Sequence, residues 1–172
     1  MSISRPDSTE YAPFYAGYVA AVPESANVLT LLEQQLEDLD AVLAGVDEEK
    51  GLFRYAEGKW SIKELICHMS DAERVFGYRV LRFSRNDQTP LPGFEENSYI
   101  TAAHADSRSL TNLVEEFKLL RNSNLMLFAN LNKEQEELQG IASDNAMSVR
   151  ALIYVTAGHV AHHFRIMRER YL

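Results

Sequence analysis

The strongest constraint on this chain is the spacing of its apolar side chains. They return every three or four positions in four long stretches, the period of a helix that buries one face. Val28, Leu29, Leu32, Leu36, Leu39, Val42 and Leu43 predict a first long helix over about 26–44, with Gly45 as its stop. The second opens on a capping-box signal, Ser61 followed by Glu64, with Trp60 just before it. Ile62, Leu65, Met69, Ala72, Phe76, Val80 and Phe83 then carry an inward stripe over about 61–85. Leu110, Leu113, Val114, Phe117, Leu120 and Phe128 predict a third helix over about 109–131. A fourth spans about 148–170, with Leu152, Thr156, His159, His163 and Ile166 on one line. Strand-like alternation is nearly absent. Four such helices with unequal connections predict an all-α four-helix bundle with a long crossover connection. A two-layer α+β fold is the lesser alternative.

The length, 172 residues, suits a single domain over 1–172, and 46% hydrophobic residues suffice for its core. Pro6, Pro13 and Pro23 interrupt residues 1–24, but Tyr11, Phe14, Tyr15 and Tyr18 are too apolar for a free tail and predict a packed segment. A net charge of −8 argues against nucleic acid and anionic membrane surfaces as partners. No segment has the pattern of a signal peptide or the length of a membrane span. The lone Cys67 excludes an internal disulfide and reads as a buried, inert thiol. These features predict a soluble cytoplasmic protein. The connection over 86–108, with Pro90, Pro92 and Gly93, is long enough to be a lid or a dimer contact. Arg79, Arg82 and Arg85 on the second helix read as solvated charges, with contact to an acidic cofactor as the sharper reading.

The chemistry concentrates in histidines. His159 and His163 are four residues apart, so they share a helical face and can converge. His68 lies at the edge of the second helix's stripe, where a ligand has both support and access. Two imidazoles buried side by side need hydrogen bonds or a metal. By helical rotation His162 points about 100° from His163, toward the surface. His104, in the long connection, reads as a surface residue. A zincin helix carries Glu directly after its first histidine. Here that position is Val160, so the helix supplies no general base. Glu64, one turn before His68, is a candidate outer partner for that imidazole, in competition with its role in the cap.

Four stretches together resemble the DinB/YfiT-like metalloprotein superfamily: Tyr11–Val19 with Val22-Pro23-Glu24; Gly58–His68 with Asp71–Phe76; Leu91–Phe94; and Ser148–Leu152 with Ala157–His163 and Arg168–Leu172. The resemblance implies a four-helix bundle holding a divalent metal, nickel or zinc, on three histidines. Position by position these are His68, His159 and His163. It also implies a homodimer and a small-molecule substrate. The activity it implies is thiol S-transfer with a low-molecular-weight thiol such as bacillithiol or mycothiol. A metal-dependent hydrolase, or a non-catalytic metal-binding or dimerisation module, are the alternatives.

Overall fold

The computed structural model describes residues 2–172. Its helices are α1 (Ala16–Ala21), α2 (Val28–Val42), α3 (Ile62–Ser84), α4 (Glu96–Ala103), α5 (Leu110–Phe128), α6 (Lys133–Glu137) and α7 (Val149–Ile166). A short hairpin, β1 (Gln139–Ala142) and β2 (Asn145–Ser148), precedes α7, which runs on into a π-helical turn at Met167–Tyr171. The four long helices, α2, α3, α5 and α7, form the bundle. Their starts are chemically marked. Asn27, Ser61, Ser109 and Ser148 each accept a backbone N–H of the first turn, which satisfies a donor that the helix itself leaves open.

α3 packs on α5 and α7, and α2 packs on the same two, so α2 and α3 stand diagonally opposite. The connections over 43–61 and 129–148 therefore cross the bundle. The segment over 85–109 joins neighbours instead, and it is not a bare loop. It contains α4, and Leu91 pairs with the hairpin through Leu91 N–H to Ile141 O (2.9 Å) and Ser143 N–H to Leu91 O (3.0 Å). The hairpin is a small two-stranded addition to the all-α bundle. Its strands are only four residues long, too short for alternation to register. Its turn residues, Ser143 (φ 51°) and Asp144 (φ 62°), are both left-handed, as a two-residue turn between twisted strands requires.

The core is in two apolar clusters, one containing Leu32, Ala72, Leu125 and Ala157, the other Leu39, Met69, Phe117 and Val160. Between them lies a polar layer to which each long helix contributes. Arg121 of α5 donates to both carboxylate oxygens of Glu73 of α3 at 2.9 Å. It also donates to Gln35 Oε1 (2.8 Å) and Leu32 O (3.1 Å) of α2. Gln35 in turn donates to Ala157 O of α7 (2.8 Å).

The N-terminal segment straps across α7. The Arg150 guanidinium donates to Glu10 at 2.5 and 2.7 Å, and Tyr154 Oη donates to Ile3 O at 3.3 Å. α1 crosses α7 so closely that a Cβ at Gly158 would lie 1.9 Å from Tyr18 O. Only glycine permits this approach, which sets Tyr18 beside His159.

Candidate metal centre

The capping box at Ser61 is complete: Glu64 N–H donates to Ser61 Oγ (3.0 Å) and Ser61 N–H donates to the Glu64 carboxylate (2.8 Å). It fixes the start of α3 and hence the height of His68. Glu64 also takes Arg54 at 2.7 Å. Its carboxylate is thus engaged at the cap and with Arg54, and the outer-partner role toward His68 is not what the structure shows.

His68 comes from α3, and His159 and His163 from successive turns of α7. All three are buried. His159 Nε2 lies 3.0 Å from His68 Nε2 and 3.0 Å from His163 Nε2, and one ligand atom from each lies within 4.8 Å of the others. Hydrogen bonding does not account for this triangle. An imidazole Nε2 has a single in-plane position, filled either by a proton or by a lone pair, so His159 cannot bond well to both neighbours. Three lone pairs aimed at one cation do account for it. Cation–nitrogen bonds of about 2 Å put neighbouring ligand nitrogens about 3 Å apart.

The protonation states agree. Burial pushes His68 down to about 4. Burial, then the other imidazoles, holds His159 and His163 well below the ordinary histidine value. At neutral pH all three are uncharged, the ligating form. His163 Nδ1 is buried without a hydrogen-bond partner among the described residues. The donor set therefore fits a divalent ion. The rings are held by Trp60 against His68 (centroids 4.7 Å apart), and by Tyr18 (5.5 Å) and Phe76 (5.7 Å) edge-on to His159.

A cleft of about 410 Å³ opens above His68 and His159. Tyr15 and Tyr18 of the strap, Ala72 and Phe76 of α3, and Phe94 and Glu96 of the long connection line it. A second cavity of about 260 Å³ is lined by Trp60, Asn97, His162 and His163, and so reaches the cluster at His163. Glu96 Oε2 stands 3.9 Å from His68 Nε2, and burial, reinforced by Glu95, raises its carboxyl above the ordinary value. Sequence reading missed Glu96, because it opens a two-turn helix inside a stretch without periodicity.

Arg79 is a second departure from expectation. It is 2% exposed and lines the cleft, whereas Arg82 pairs with Asp87 and Arg85 faces solvent. The signal was present: positions 68, 72, 76 and 79 fall on one helical face. His162 is half-buried, edge-on to Tyr18, and outside the triangle. His104 is exposed and caps α4 in the left-handed conformation. Cys67 is buried, and burial followed by the nearby Asp71 carboxylate pushes its thiol up to about 11, so it is no nucleophile.

Residues 31–167 match the model of the DinB superfamily, and the chain belongs to that family. Among solved structures it is similar to YfiT from Bacillus subtilis, with a TM-score of 0.76 and 13% identity, covering 86% of this chain and 90% of that one. YfiT is described as a probable metal-dependent hydrolase with an unusual four-helix bundle topology. At that identity the likeness speaks for the fold, the four-helix bundle seen here. No curated protein matches the chain. Among the described residues no helix is long and apolar enough to cross a membrane.

Proposed function

We propose that this member of the DinB superfamily is a metal-dependent enzyme in which His68, His159 and His163 hold one divalent ion, nickel or zinc. The observation that carries the reading is three neutral Nε2 atoms converging at the end of an open cleft. A bound divalent ion supplies Lewis acidity, which lets a thiol or water on it ionise near neutral pH. The chain's residues do the rest. Three uncharged imidazoles leave the positive charge of the site undiminished. Tyr18, Phe76 and Phe94 keep bulk water off one side. Glu96 stands where a proton leaving the nucleophile can be received.

Transfer of a low-molecular-weight thiol to a small electrophile is the first reading of the reaction, supported by the family resemblance. Hydrolysis is the second. Glu96 favours it, because it supplies the carboxylate that the helix over 159–163 lacks, and the description of YfiT points the same way. The resemblance also supports a homodimer, which sedimentation equilibrium tests.

The test of the enzyme reading is elemental analysis of untagged protein, followed by two assays. One offers small thiols with a chromogenic electrophile, the other a chromogenic ester without thiol. We expect about one metal per chain and metal-dependent turnover that falls in Glu96→Gln. Turnover of the ester alone selects hydrolysis. Metal far below one per chain, unchanged in His163→Ala, removes the reading.

A further inference from the structure

The cleft has a second charged end. Arg79 lies eleven residues beyond His68 on α3, about 16 Å further along the axis at 1.5 Å per residue. Ala72 and Phe76, on the same face between them, make the floor of the cleft apolar. Arg79 Nη2 donates to Pro92 O (3.1 Å) and Ser143 Oγ (3.0 Å). Both acceptors are neutral, and no carboxylate lies within 4.0 Å of this guanidinium among the described residues. An unpaired cation at 2% exposure is costly, and a chain does not keep one without a use or a partner.

The same bundle shows a guanidinium with a full set of partners. Arg121 meets Glu73 with two parallel bonds and fills its remaining directions with Gln35 and Leu32. Arg79 lacks the carboxylate that Arg121 has, and it lines a cleft. A guanidinium fork is shaped for a carboxylate. Ser143 and Asn145, set at the hairpin turn, add neutral polar groups to the same lining. Among the described residues Glu96 is the one carboxylate lining the cleft, and it stands at the histidine end. The cleft is therefore polarised, with its free positive charge at the far end.

We infer that Arg79 is an anion subsite, and that the molecule this cleft takes carries a carboxylate there. An apolar stem crosses Phe76 and sets the reacting atom near His68 and His159. The placement of the reacting end rests on the proposed metal centre. Carboxylate recognition by Arg79 does not.

The experiment is calorimetric titration of full-length protein, as purified and again after chelation, with 3-phenylpropionate and its neutral amide. The expected result is tighter binding of the acid by about tenfold to a hundredfold, the ratio for one charge-assisted hydrogen-bond pair. That ratio falls to about one in Arg79→Gln and is partly kept in Arg79→Lys. A purely structural Arg79 would change the thermal midpoint and leave the ratio alone. Equal binding of acid and amide by the wild type overturns the subsite. So does an unchanged ratio in Arg79→Gln or, if that variant does not fold, an unchanged ratio in a folded Arg79→Met. Zinc binding measured on the same samples separates the two proposals. A preserved ratio without stoichiometric zinc fells the metal centre alone, and stoichiometric zinc with no acid preference fells the subsite alone.

Discussion

The layer around Arg121 and the cleft between His68 and Arg79 are both polar regions inside one helical bundle, and they are built on opposite rules. In the layer, every charge is answered. Glu73 matches Arg121, Gln35 matches both Arg121 and a carbonyl of α7, and Asn124 donates to Glu73 at 3.0 Å. In the cleft, the answers are missing. Three imidazole nitrogens converge, and a guanidinium faces neutral oxygens. A folded chain tolerates buried polar groups when they are paired within it. Where it leaves them unpaired next to a cavity, the partner is expected from outside.

The comparison breaks most readily at Glu73. Glu73→Ala strands a fully buried guanidinium and is expected to cost about 3–5 kcal/mol of stability. Replacing Glu73 and Arg121 together with Leu and Met should cost much less. Denaturant unfolding measures both. If metal affinity of the folded Glu73→Ala protein fell as well, the layer and the cleft would be one unit and the contrast would fail.

His159→Ala sharpens it from the other side. Loss of one of the three proposed ligands should weaken zinc binding by more than about 100-fold, beyond what removal of an outer partner gives. Metal-free stability should change by less than about 1 kcal/mol, since an unanswered buried imidazole contributes little to folding. Competition with a chromophoric chelator and unfolding of chelated protein check the two halves.

The Glu10–Arg150 pair is a closed contact beside an open site, and pH tests it. Burial works to raise the Glu10 carboxyl, but its hydrogen bonds with Arg150 and Ser148 outweigh this and hold it down at about 2. A depressed carboxylate stabilises the fold fully above its unfolded value, and the benefit is lost as pH falls from there through the folded value. On the order of 2 kcal/mol should therefore vanish between about pH 4.5 and 2. In Glu10→Gln this part of the pH dependence should be absent from unfolding curves.

The smallest effect is expected at His162. It neighbours His163 but stands outside the triangle, so His162→Ala should leave zinc stoichiometry unchanged and affinity within about threefold. A loss equal to that of His159→Ala would redraw the ligand set.

Much of the closed architecture can be read in the sequence, and less of the open one. The long helices announce themselves because burial of one face repeats over four or more turns, and because Ser61–Glu64 writes its cap into adjacent positions. His159 and His163 are legible as a pair from one interval. His68 joins them by family resemblance, since no spacing rule links residues on separate helices. Glu96 and Ser143 are invisible beforehand. Each reaches the cleft from a short irregular segment whose path depends on the assembled bundle. Arg79 stands between these cases. Its face was readable, but a charged residue on a helix is ordinarily solvated, and only the packed fold shows that this one is not.

The strap over α7 has one more consequence. Its residues Tyr15 and Tyr18 wall the cleft, yet none of the three histidines belongs to it. One wall of the cleft is thus written far in sequence from the histidines it encloses. Substitutions in the first twenty residues can therefore reshape that wall while the histidine triangle stays intact.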